Sequence, residues 1–237
     1  CEKIKSILIG TPLQKPAERL QWLSKARYRQ RHPELSEIYL EPGRIREIIK
    51  RTVKDGHNCV DVGCHLGAVL QEFVNCSPSG QHIAIEPVPN KATWLVRKYP
   101  KVRVYQVAVG DTSSTVDFVW VRHQSALSRL SVPFHKIDEG EKIRVPCRRL
   151  DDIVPEQTKV RCLKVDVEGA ELFVFRGARR VLLESRPLII FECSKAALAS
   201  FNVFPEEIFN FLSGVGYDLF LPKQYLIKGA SLDLGTL

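Results

Sequence analysis

VDVGCHLG, residues 60–67, sets an apolar approach before an aspartate at 61 and glycines at 63 and 67. An apolar run that stops at a glycine and continues as GAVLQEFV is a strand turning tightly into a helix, because glycine enters the left-handed backbone region without steric cost. The pattern then repeats. HIAIEP reads as a strand, NKATWLVRKY as a helix and VRVYQVAVG as a strand, which gives β-α-β-α-β. Short strands of nearly continuous apolar content between helices imply a mostly parallel sheet with helices on both faces.

Further along, the rhythm breaks after Asp111. TVDFVWV and EKIRVPCRRL alternate as strands of a β insertion around 112–149, and between them runs RHQSALSRLSVPFHKIDEG, a loop. RCLKVDVEG then reads as a strand, AELFVFRGARRVLLE as helical, PLIIFEC as a strand, PEEIFNFLSG as a helix and YDLFL as a last strand. Upstream, HPEL and EPGR are turn signals, and IREIIKRTV puts positions 45, 48, 49 and 53 on one helical face. Residues 1–54 are therefore expected to form a helical extension and 55–237 the main domain.

A chain of 237 residues with 44% hydrophobic content can bury one large core. It has no apolar run of about 18 residues, and ILIG is too short for a signal-peptide core, so a soluble protein without a membrane span is expected. Cysteines at 1, 59, 64, 76, 147, 162 and 193 show no CxxC pair and no Cys/His spacing that would hold zinc, so no metal is expected. Thiols inside apolar strands act as small hydrophobes, which fits a reducing cytoplasm. The absence of methionine marks the sequence as a fragment or as one from which modified methionines were dropped. Much of the formal charge of +8 lies early, in RLQWLSKARYRQRH at 19–32. A basic helix of this kind suits acidic lipid, nucleic acid or an anionic substrate, or is simply a solvated face.

In open α/β sheets ligands bind beyond the carboxyl ends of the strands. The polar residues at those ends are Asp61 and Gly63, Glu86, Gly110 and Asp111, Asp166 and Glu168, and Glu192. A dinucleotide site normally carries G-x-G-x-x-G with a pyrophosphate on a helix N-terminus. Here the spacing is G-x-x-x-G, and a phosphate would be repelled by so many carboxylates. S-adenosylmethionine has no phosphate and carries an ammonium and a sulfonium, so an acidic rim suits it. In that reading Gly63 permits the turn and Gly67 lets the methionyl part and ribose approach the backbone. Asp61 favours the ammonium side, and Glu86 accepts from both ribose hydroxyls.

VDVGCHLG, HIAIEPVPN, QVAVGD and above all LKVDVEGAE followed by RGA resemble the FkbM family of class I S-adenosylmethionine-dependent methyltransferases, over about residues 35–221. The resemblance implies a Rossmann-like sheet of seven strands and methyl transfer to an oxygen, often a hydroxyl of a sugar or secondary metabolite. It makes Asp61, Gly63, Gly67 and Glu86 cofactor contacts, sets Asp111 near the adenine, and brings Glu41 of YLEPG over the methionyl group. Many members have alanine-asparagine where this chain has Cys64 and His65.

Methyl transfer is an in-line displacement at an activated carbon, so alignment and exclusion of water dominate. A hydroxyl acceptor must also lose a proton, to which a base contributes about 10² to 10⁴ in rate. Asp166, Glu168, His123 and Glu192 are the candidates. The loop with Ser125 and Ser128 resembles the family's variable substrate-facing segment. The expected partner is a small-molecule or glycan hydroxyl acceptor, with no nucleic acid. A nucleic-acid methyltransferase remains the nearest alternative on charge, although no asparagine-proline-proline-tyrosine-like tetrapeptide is present. A nicotinamide-dependent oxidoreductase is the other, although the glycine spacing differs and a Tyr-x-x-x-Lys pair is absent.

Overall fold

A computed structural model of the chain describes residues 8–9, 11, 13–24, 26–33, 36–120, 129–130 and 141–236. Its first described helices are α1 (Gln14–Ser24), α2 (Ala26–Arg31) and α3 (Ser36–Thr52). Strand β1 (Asn58–Val62), helix α4 (Ala68–Cys76), β2 (Ile83–Ile85), α5 (Pro89–Lys98) and β3 (Arg103–Tyr105) follow in alternation. Then come β4 (Ala108–Val109), β5 (Ser114–Trp120), β6 (Arg129–Leu130) and β7 (Glu141–Arg148). After α6 (Leu150–Ile153) the chain forms β8 (Val160–Val165), α7 (Glu171–Arg176), α8 (Arg179–Ser185) and β9 (Leu188–Phe191). It continues through α9 (Lys195–Ala199), α10 (Pro205–Gly214) and α11 (Pro222–Ile227).

Two strands of like pattern form the centre. NCVDV and RCLKV lie parallel and in register, Cys59 beside Cys162, Val60 beside Leu163, Asp61 beside Lys164 and Val62 beside Val165. Side chains alternate along a strand. Val60, Val62, Leu163 and Val165 therefore enter one core, with Leu172, Phe175, Leu182 and Ile208 of α7, α8 and α10. Cys59 and Cys162 enter the other, with Ile49, Val53 and Phe73. The parallel sheet has the order β3-β2-β1-β8-β9, and its direction of travel reverses between β1 and β8. That is the switch point at which a ligand crevice is expected.

The sheet has five parallel strands rather than seven. VRVYQVAVG divides, because the ladder to β2 ends at Tyr105 and β4 joins a second sheet of order β4-β7-β5-β6. Residues 217–221 form no strand. Arg186 holds the preceding segment by donating to the carbonyls of Val215 and Gly216, and its guanidinium lies 4.5 Å from the Tyr217 ring. Leu219 spends its carbonyl on the Leu232 amide at 2.7 Å. EPGR is not a turn but part of α3, which carries Pro42 in its interior. The buried Ile48 and Ile49 further along hold this helix against the domain. The helical run after β8 breaks at Gly177, where a Cβ would come within 2.0 Å of the Gly110 carbonyl oxygen. All six described cysteines are free thiols. Among the described residues no helix is long and apolar enough to cross a membrane.

Candidate active site

At the carboxyl ends of β1, β2 and β8 a cavity of about 320 Å³ opens. Asp61, Gly63, Glu86, Asp166, Glu168 and Glu192 all line it, so the acids that punctuate separate strands in the sequence do converge. Gly63, at φ 73°, makes the turn out of β1. A Cβ there would stand 1.8 Å from the Asp166 carbonyl oxygen, so the approach of the two strand ends, as well as the backbone angle, demands glycine.

Gly67 has a packing reason of its own. At φ 75° it caps α4, and its missing Cβ leaves room for Tyr99 Cε2 at 2.9 Å and Leu95 Cδ2 at 3.1 Å. It serves the packing of α5, and it is not among the residues that line the cavity.

Glu86 is 4% exposed. Its Oε2 accepts the His65 amide at 2.8 Å and its Oε1 the Val88 amide at 3.0 Å. The carboxylate thus ties the β1–α4 turn to the start of α5, and each oxygen keeps a lone pair. Burial pushes its pKa up, against the pull of Lys91, the two amides and Lys164. His65 sits at φ 52°, an uncommon angle for a non-glycine residue, held in part by its amide bond to Glu86.

Beneath the acids lies a cation that the strand-end reading missed. Lys164 donates to the Gly63 carbonyl at 2.8 Å, and its Nζ is 3.3 Å from both Asp61 Oδ1 and Asp166 Oδ2. Burial alone would push its pKa down, but the charges of Asp61 and Asp166 outweigh burial and hold it above the ordinary lysine range. The ion pair with Asp61 is close but not a hydrogen bond: both Asp61 oxygens are buried and receive none among the described residues. The signal for Lys164 was in the sequence, since a lysine inside RCLKV occupies the place that aspartate holds in NCVDV.

Glu168 lines the cavity at φ 57°. The loop behind it is held by Glu171, whose Oε1 accepts the amides of Val167 at 3.1 Å and Gly169 at 3.2 Å. Burial raises the pKa of Glu171. Glu192 is pushed up as well, by burial first and then by the Asp166 charge, with Lys164 opposing. Asp111 and Glu41 do not line the cavity. Glu41 is exposed on α3, though its charge is felt at Glu192. His123, Ser125 and Ser128 lie outside the described residues.

Residues 61–219 match the model of the methyltransferase FkbM domain. No curated protein matches the chain. Among solved structures the chain is similar to a putative rRNA-methylase from Clostridium thermocellum, with TM-score 0.44 and 13% identity over 74% of this chain and 80% of that one. It is also similar to a precorrin-6y C5,15-methyltransferase from Geobacter metallireducens GS-15, with TM-score 0.41 and 15% identity over 73% and 71%. A SAM-dependent methyltransferase from Aquifex aeolicus gives TM-score 0.38 and 13% identity over 79% and 92%.

Proposed function

The chain belongs to the FkbM methyltransferase family, and from that premise we propose that it methylates a hydroxyl oxygen on a sugar or secondary-metabolite acceptor. The cofactor is S-adenosylmethionine, which supplies a methyl group already activated by a sulfonium. The residues present fit it. Asp61 offers two buried oxygens that receive no hydrogen bond from a described residue, which suits the cofactor ammonium. Glu86 would hold the ribose hydroxyls with the lone pairs its amide bonds leave over. The turn at Gly63 would lie against the methionyl part, with Asp111 near the adenine and Glu41 over the methionyl group as outer contacts.

One observation carries the choice of a hydroxyl acceptor: Asp166, Glu168 and Glu192 face the same cavity as Glu86. A hydroxyl must give up its proton as the new C–O bond forms, and three carboxylates stand where one can take it. Glu192 suits the role of base, because its raised pKa makes it a better proton acceptor than an ordinary carboxylate. Asp166, paired with Lys164, would orient the acceptor. His123 stays a further candidate from the sequence.

Transfer of a radiolabelled methyl group to a panel of sugars and hydroxylated metabolites tests this. Glu192→Gln should lower kcat by about 10² or more while leaving S-adenosylhomocysteine affinity unchanged. Methylation confined to nitrogen acceptors or nucleic acid would reject the hydroxyl assignment.

A further inference from the structure

We propose that Lys164 is a positioning residue of the methyl-transfer site, the counter-ion that keeps Asp61 ionised and aimed at the cofactor ammonium while it clamps the Gly63 turn. The proposal rests on the cofactor reading above and adds a residue to it. Its basis is geometric. Lys164 and Asp61 are neighbours in the β1–β8 ladder, at the point where strand order reverses. The side chains are 10% and 1% exposed, so water does little to support either charge. One ammonium reaches the Gly63 carbonyl on the turn, Asp61 on β1 and Asp166 beyond β8. A lysine sets one charge at a single atom between the two carboxylates and keeps a donor for the carbonyl.

Lys164 is the cation paired with Asp61, whereas the buried Lys91 of α5, which lines the same cavity, acts on Glu86. Cys162 lies on β8 and Cys64 on the turn, and burial raises both thiols, so they remain neutral. Tyr99 on α5 feels the Asp61 charge and is itself pushed above the ordinary tyrosine range, chiefly by burial. Asp166 carries the same sign as Asp61, and Glu86 is on the far side of the turn. Without Lys164 a buried carboxyl among these groups would take up a proton.

The consequence is a pH signature. In the wild type, S-adenosylhomocysteine affinity should be flat between pH 6 and pH 8, where the ligand keeps its ammonium. In Lys164→Met, where the counter-charge is gone, affinity should be at least tenfold weaker at pH 6 and recover towards pH 8. Asp61→Asn should abolish that recovery in the Lys164→Met background. Lys164→Gln keeps a donor for the Gly63 carbonyl without the charge. It should show the same pH-dependent profile, and it serves where the methionine variant does not fold.

Calorimetric titration of the wild type, the two single variants and the double variant with S-adenosylhomocysteine, from pH 6 to 8, reads this directly. An equal loss at every pH, or a Gln variant that binds like wild type, would mean that Lys164 only fills space or only bonds the turn, and would overturn the proposal. Wild type that gives no heat would overturn the cofactor reading and this proposal together.

Discussion

Among the described residues two pairs of strands set an aspartate beside a base, and only one of those charge pairs lies in the site. Asp61 and Lys164 are partners in the parallel β1–β8 ladder, and Asp117 and Arg144 are partners in the antiparallel β5–β7 ladder. The first pair is sealed at the floor of a cavity, whereas both members of the second are exposed. At about 4 Å two unit charges are worth about 1 kcal/mol in bulk water and several times that near or inside a protein. The same pairing of opposite charges is therefore ornament on one sheet and structure on the other. What separates them is the company of the strand: continuous burial from Cys162 to Val165 in β8, exposed positions on either side of buried ones in β7.

The comparison breaks most completely at the turn on which the buried pair stands. Gly63→Ala would force a Cβ into the Asp166 carbonyl at an angle that L-residues avoid. A loss above about 4 kcal/mol is expected, at the severe end for single substitutions, read by urea unfolding. A variant as stable as wild type would show that the strand ends can part without cost. Next comes Lys164→Met, with a loss of about 3–5 kcal/mol from breaking a buried pair. A loss under ~1 kcal/mol, the value of an exposed pair, would erase the difference between the two sheets. Glu86→Ala follows. It strands the amides of His65 and Val88, at about 1–3 kcal/mol each, and should also abolish S-adenosylhomocysteine binding by calorimetry.

Periodicity and punctuation carried the reader to the parallel sheet, the turn after β1 and the convergence of acids at the strand ends. They carried no further where the deciding contact is remote in sequence. The glycine at 67 looks like a ligand glycine in any one-dimensional reading, because nothing nearby announces that Tyr99 and Leu95 fill the space beside it. Residues 217–221 have the composition of a strand, but Arg186 and Leu232 take their neighbourhood's hydrogen bonds. EPGR has turn residues, yet Ile48 and Ile49 keep α3 going past it. Lys164 was legible, since NCVDV and RCLKV are the same pattern with the charge reversed, but only when the two strands are set side by side.

A smaller effect distinguishes the buried acids from the exposed ones by pH. Glu171 has its folded pKa raised by burial. A carboxyl so raised favours the fold below its unfolded value and loses that contribution as pH rises through the folded value. Glu171→Gln keeps an oxygen for the Val167 and Gly169 amides and cannot ionise. Its melting temperature relative to wild type should therefore climb between pH 4 and pH 7. A difference that stays level, or falls, would mean that the loop already accommodates the charge.

The smallest effect belongs to the exposed pair, and it is the control for all the others. Asp117 and Arg144 face each other across β5 and β7 in water, where screening and side-chain entropy leave little net gain. Asp117→Asn should move the melting temperature by about 2 °C at most, with the shift shrinking further in 0.5 M salt because surface charges are screened over a few ångströms. A larger, salt-resistant shift would say that this sheet, too, is organised by its charges. The division between a buried pair that organises the site and an exposed pair that does not would then have to be redrawn at β5.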